Sequence, residues 1–236
     1  MIALMMAAQN HPMDTKDWNF LTMFEFNGNL LLQQLINNLV EIPNIEMKLV
    51  VNEEQCRSFP LKNLIKKIYE NTDILEISGS TKGAACSVLL AIEKIDPEDE
   101  LLVVNTNEIL DATFTDVINH FRNKKFDAGL VYFESLHPRY SYADINDDGL
   151  VTEVAEKFQI SNHATAGFYW FKKGKYLTQA IMEMIRKNDS INSFFYVCPA
   201  FNQIILSGLS VGSYEISQNQ YIPLKSASSR SVERGL

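Results

Sequence analysis

Two short clusters carry the residue types that hold ligands in α/β proteins. The first is Gly79-Ser80-Thr81-Lys82-Gly83. The second is Asn105-Thr106-Asn107-Glu108, followed by Asp111. Each comes directly after an apolar run. Asp73-Ile74-Leu75-Glu76-Ile77-Ser78 precedes the first, and Leu101-Leu102-Val103-Val104 precedes the second. Between them Ala85, Val88, Leu89 and Ile92 keep the one-face spacing of a packed helix. Ser80 or Thr81 is placed to cap that helix, and Asp96-Pro97 to end it. The unbroken apolar run at 101–104 suits a strand covered on both faces. Strand, turn, helix and strand form a βαβ unit. Both polar clusters then lie at carboxyl ends of strands, where open α/β sheets take their ligands.

Other groupings support less chemistry. Asp144, Asn146, Asp148 and Gly149 imitate the start of a calcium loop. Ala155 stands where the bidentate glutamate belongs, so a hairpin turn is expected instead. Cys56, Cys86 and Cys198 are widely spaced and no C-x-x-C occurs, which supports neither a zinc site nor a disulfide framework. A reducing, cytoplasmic setting is the expectation. His11, His120, His137 and His163 are scattered, and Ser80 has no triad logic with any of them. The aromatic runs 168–171 and 194–196 read as core, and the acidic run 96–100 as a solvated loop.

The elements that must position the two clusters follow from pattern. The chain has 236 residues, 46% hydrophobic and 21% charged, an ordinary globular composition. A net charge of −8 argues against a nucleic-acid or anionic-membrane partner. No apolar run approaches a membrane span. Strands are expected over 2–8, 46–51, 127–133, 164–171 and 211–216. Asn27-Gly28 marks a tight turn after a strand at 23–26, and a hairpin is expected over 141–154. Helices are expected over 30–40, 61–70, 114–121, 174–187 and 199–206. One domain over 1–225 with a flexible tail at 226–236 is the simplest division. The order of elements argues a mostly parallel α/β sheet with an antiparallel addition.

Several blocks then occur in one order: Ser80-Thr81-Lys82-Gly83-Ala84-Ala85, Leu101 to Asn105, Ser141-Tyr142-Ala143, Val151 to Lys157, Ile160 to Tyr169, and Phe195-Tyr196-Val197-Cys198-Pro199. Together they resemble the sugar nucleotidyltransferases (sugar-1-phosphate pyrophosphorylases), especially the short forms of capsule and lipopolysaccharide synthesis. The resemblance runs from about residue 23 to about 216. It implies a Rossmann-like, mostly parallel mixed sheet flanked by helices, the GT-A-like fold, with a β-hairpin insertion. It also implies the family reaction, in which a nucleoside triphosphate and a sugar 1-phosphate give a nucleotide sugar and pyrophosphate, with Mg²⁺. Carried over by position, Thr81, Gly83, Asn105 and Asn107 fall on the nucleotide side. Glu156, Lys157 and Gly167 fall on the sugar-phosphate side. A glycine at a helix start lets a flat base approach the backbone, whose N–H groups can donate to it.

The departures from the family pattern gather on the catalytic parts. Its glycine-rich, arginine-containing phosphate loop is replaced by Ala7-Ala8-Gln9-Asn10-His11. No glycine precedes Gly28 and no arginine precedes Arg57. Phe20-Leu21-Thr22 stands in the place of Pro-Lys-Pro. Asn107 occupies the position of the metal aspartate, and Tyr221-Ile222-Pro223-Leu224 that of the late Trp-Gly segment near the second metal aspartate. Glu108 and Asp111 are the nearest replacement metal ligands, and Lys16 the nearest replacement cation. Losing one transition-state group typically costs ~10²–10³ in rate. Weak or absent catalysis with a retained nucleotide or nucleotide-sugar pocket is therefore expected. The alternatives are a regulatory pseudoenzyme and a GT-A glycosyltransferase; for the latter, Asn105-Thr106-Asn107 has the Asp-x-Asp spacing without its charge.

Overall fold

The structure, a computed structural model, describes residues 1–8, 25–26, 28–58, 61–93 and 95–223. Strand β1 (Ile2–Met6) opens the chain, and a short hairpin of β2 (Glu25–Phe26) and β3 (Asn29–Leu30) leads into α1 (Leu31–Val40). There follow β4 (Glu46–Asn52), α2 (Glu53–Ser58), α3 (Leu61–Ile68), β5 (Thr72–Ile77), α4 (Ala84–Ile92), β6 (Leu101–Asn105) and β7 (Glu108–Leu110). The second half adds α5 (Phe114–Asn123), β8 (Ala128–Glu134), β9 (Ser141–Ile145), β10 (Val151–Glu156) and β11 (His163–Phe171). It closes with α6 (Gly174–Arg186), α7 (Ala200–Leu206), β12 (Val211–Glu215) and β13 (Tyr221–Pro223). The phosphate-loop positions from Gln9 onward, Lys16, and the tail at 226–236 lie outside the described residues.

The main sheet has the order β10-β9-β11-β6-β1-β4-β5, with β8 on β11 and β12 on β8. Strands β6, β1, β4 and β5 run parallel, and β11 enters antiparallel to β6. Alternation along β1 divides the core. Ile2, Leu4 and Met6 join α4, α6 and α7 on one face, while Ala3, Met5 and Ala7 join α1 and α5 on the other. Covering on both faces explains why β1, and β6 up to Val104, are apolar rather than alternating. This is the expected Rossmann-like, mostly parallel mixed sheet flanked by helices, with an antiparallel addition.

Four features differ from expectation. The two strands of the βαβ unit, β5 and β6, are not neighbours, because β1 and β4 lie between them. Helix α2 and the antiparallel pair β7–β13 carry no periodic signal; the pair joins Glu108–Leu110 to Tyr221–Pro223 across more than a hundred residues of chain. The acidic run 96–100 is solvent-exposed over 96–98, as expected, but it is also tied down by ion pairs and hydrogen bonds. Lys173 and Lys175 both donate to Glu98, at 2.6 and 2.5 Å. Glu100 accepts the buried Trp170 indole at 2.7 Å and pairs with Arg122, so the acidic side chain satisfies an aromatic donor inside the core. Finally, β11 shifts register against β8 between Thr165 and Tyr169, a bulge centred on Gly167.

Candidate functional site

The end of β5 is closed by its own chain. Gly83 is the N-cap of α4 with φ 108°, and no side chain caps the helix, so the expected role of Ser80 or Thr81 is not taken up. The Thr81 hydroxyl turns inward instead. It lies 2.8 Å from Ser87 Oγ and 3.2 Å from the Gly83 carbonyl. A second segment completes the cap: Phe195 N–H donates to Lys82 O at 2.7 Å, and Ala85 N–H donates to Phe195 O at 3.0 Å. A Cβ on Gly83 would lie 2.4 Å from that Phe195 oxygen. The glycine is therefore required here by a positive φ and by a neighbouring backbone, apart from any ligand.

The end of β6 is built differently. Thr106 Oγ1 donates to Met6 O at 3.0 Å and ties this strand end to that of β1. Asn105 Nδ2 donates to Glu108 Oε1 at 2.8 Å, and the Tyr221 hydroxyl donates to Glu108 Oε2 at 2.5 Å. Tyr221 is itself stacked on Phe133, ring centroids 4.0 Å apart. Burial pushes the Glu108 carboxyl above its usual range, while Tyr221, Asn105 and the more distant Arg139 pull it back. Gly167, at φ 64°, faces this carboxylate: a Cβ there would lie 1.7 Å from Glu108 Oε1 and 2.5 Å from Asn105 Nδ2. The structure thus brings Asn105, Glu108 and Gly167 together. Asn107 Oδ1 is buried and meets no hydrogen-bond partner among the described residues. Asp111 is exposed, and its backbone N–H and C=O pair with Gln220.

The third part lies at the end of β10. Glu156 accepts from Ser141 Oγ. Burial raises its carboxyl, against the pull of Ser141 and Lys157. Lys157 takes a left-handed conformation (φ 54°), its N–H held by Tyr140 O at 3.0 Å. Its ammonium donates to the Tyr196 hydroxyl at 2.7 Å and sits 4.5 Å from that ring's centroid. Tyr196 follows Phe195, so the segment that completes the α4 cap also holds Lys157. Beneath them Cys198 is buried, and burial together with Glu156 pushes its thiol well up. That disfavours the thiolate and any nucleophilic use.

Chemically the arrangement offers the Lys157 ammonium for phosphate, the Glu156 carboxylate for hydroxyls, and an amide oxygen, Asn107 Oδ1, unpaired among the described residues. It does not fit a resident Mg²⁺ among the described residues. Such an ion takes hard, charged oxygens. Here both Glu108 oxygens accept hydrogen bonds from the chain, Asp111 is exposed and engaged with Gln220 only through its backbone, and Asn107 is neutral. Among the described residues no group of three or more His, Cys, Asp and Glu is placed to hold a metal. Sequence reasoning missed Tyr221 and Tyr196. Tyr196 lies inside a recognisable block, whereas Tyr221 has no local signal, since its role arises from the β7–β13 pairing.

The comparisons agree on the architecture. A nucleoside-diphosphate-sugar pyrophosphorylase from Vibrio cholerae RC9 superposes with a TM-score of 0.79 at 20% identity, covering 97% of each chain. A UDP-glucose pyrophosphorylase complexed with UDP-glucose gives 0.72 at 13% identity over 92% of this chain and 90% of that one. The inositol-1-phosphate CTP transferase from T. maritima gives 0.69 at 12% identity over 96% and 90%. No curated protein sequence matches. The family model described as nucleotidyl transferase matches residues 22–200, most of the chain. The chain therefore belongs to the nucleotidyl transferase family.

Proposed function

We propose that the chain is a sugar-nucleotidyltransferase-like protein of surface-polysaccharide metabolism. In this reading it keeps a pocket for a nucleotide sugar and transfers nucleotidyl groups weakly or not at all. Thr81, Gly83, Asn105 and Asn107 form the nucleotide side, and Glu156, Lys157 and Gly167 the sugar-phosphate side. The observation that carries the reading is an asymmetry. The Glu156–Lys157–Tyr196 group is assembled and hydrogen-bonded, whereas the position of the metal carboxylate holds an uncharged Asn107 whose oxygen is unpaired. Nucleotidyl transfer depends on stabilising negative charge spread over phosphate oxygens. With an uncharged residue at the metal position, that stabilisation is reduced.

The test incubates the protein with Mg²⁺, each nucleoside triphosphate and a panel of sugar 1-phosphates, and follows pyrophosphate. Turnover is expected at least ~10²-fold below that of an active family member, as for loss of one transition-state group. Calorimetry with nucleotide sugars is expected to show binding. Robust turnover with any pair removes the inactive reading. Binding without turnover favours a sensing or partner-regulating role in the cytoplasm.

A further inference from the structure

Asn107 Oδ1 is a buried acceptor without a partner among the described residues. Leaving such an atom unsatisfied in the folded chain is costly, so a group held there is worth identifying. Its place is fixed by its neighbours. The Thr106 hydroxyl anchors the turn to Met6 O, and β7 begins immediately after Asn107 and pairs with β13. The adjacent carboxylate is not free to help coordinate a cation. Turning Glu108 toward an ion would strand the Tyr221 hydroxyl and break the hydrogen bond from Asn105 Nδ2. It would also leave the notch over Gly167, which Glu108 Oε1 fills. A lone neutral oxygen does not offset the reluctant dehydration of Mg²⁺. It accepts readily from a hydroxyl or an N–H.

We propose that this chain has exchanged the metal position of its family for a neutral hydrogen-bonding one: Asn107 Oδ1 accepts from a hydroxyl or N–H donor of a bound nucleotide sugar, and that ligand binds without a divalent cation. The ligand half rests on the function proposed above; the cation half stands on the donor set alone.

The experiment has two arms on the full chain. In the first, Mn²⁺ binding is read by electron paramagnetic resonance without nucleotide. The unaltered chain is expected to leave Mn²⁺ free, and Asn107→Asp, which changes charge at nearly constant shape, to bind it. Tight Mn²⁺ binding by the unaltered chain overturns the cation half. So does Asn107→Asp that stays unable to bind, because the position then lacks more than charge. In the second arm UDP-glucose and the other common nucleotide sugars are titrated with EDTA or with Mg²⁺. The affinity is expected to agree within about twofold between the two conditions, and Asn107→Ala to weaken it about tenfold, the equivalent of one hydrogen bond. A tenfold loss in EDTA overturns cation independence, and an unchanged Asn107→Ala affinity overturns the acceptor role. If no nucleotide sugar binds, the proposed function and the ligand half both fall, while the Mn²⁺ arm still decides the cation half.

Discussion

The turns after β5 and β6 occupy equivalent places at the carboxyl edge of one sheet, yet they spend their polar groups in opposite ways. After β5 the chain satisfies itself: Thr81 faces Ser87 and the Gly83 carbonyl, and Phe195 caps α4. After β6 one carboxylate is sealed by Asn105 and Tyr221, and the Asn107 oxygen is left unpaired. A glycine marks each region, Gly83 in the first and Gly167 opposite the second, and both have positive φ. Glycine at a strand end is thus not by itself a sign of ligand approach. What the glycine faces decides its meaning: backbone at 83, a side chain at 167.

That contrast predicts the largest effect. In Gly83→Ala the new Cβ meets Phe195 backbone atoms at 2.4 to 3.0 Å, which cannot move without opening the cap of α4. Together with the strain of positive φ the expected loss is about 3 kcal/mol in urea unfolding. Gly167→Ala meets the far end of Glu108 instead, and a side chain can swing away. Its expected loss is about 2 kcal/mol. The double variant Gly167→Ala/Glu108→Ala is expected to be less destabilised than the sum of its singles by about 1 kcal/mol, because one change removes the clash that the other creates. Simple additivity at 167 and 108 would erase the distinction between the two glycines.

A smaller effect sharpens the self-satisfied side. Thr81→Val keeps the shape and removes the hydroxyl that lies 2.8 Å from Ser87 Oγ. Ser87 is buried, so the lost bond should cost about 1 kcal/mol. If Thr81 also contacts a base, nucleotide affinity falls in parallel. Stability that falls while calorimetric affinity holds would confine Thr81 to the turn.

Legibility in the sequence tracked how local each feature is. Strands β1 and β6 announce themselves as unbroken apolar runs, because both faces of the sheet are covered. The Asn146 turn was readable because its Oδ1 accepts from Asp148 and Leu150, within its own loop. The blocks that carry the family resemblance single out Glu156, Lys157 and Gly167 by position alone, as candidates. Hidden were the features made by distant pairings: the β7–β13 ladder that brings Tyr221 to Glu108, the Phe195 backbone on Gly83, and the bulge at Gly167. In sequence Glu108 reads as a candidate metal ligand, since nothing near it there shows that its oxygens accept from Asn105 and Tyr221.

The smallest effect concerns the buried carboxylate at the end of β10, Glu156. Burial raises Glu156 above the ordinary 4.5 while Ser141 and Lys157 oppose that shift. A carboxyl whose folded pKa is raised binds its proton more tightly in the native state. Its relative stabilisation is therefore fully present below the unfolded value and is lost as pH rises through the folded one. Glu156→Gln is neutral at every pH. The stability of the unaltered chain minus that of Glu156→Gln, from urea unfolding over a pH series, should be greatest below about pH 4. It should decline through the raised pKa and then level. Exposed Glu98 and Glu183, whose lysine and arginine partners lower them, lose their contribution as pH falls, but both proteins carry them and they cancel in the difference. A difference that rises with pH would mean that Ser141 and Lys157 outweigh burial and hold Glu156 as a stabilised carboxylate. Repeating the series with Glu108→Gln sets the two sides of the site against each other. Glu108 also lies above 4.5, with Tyr221 and Asn105 as its donors, so its difference should decline with pH in the same direction.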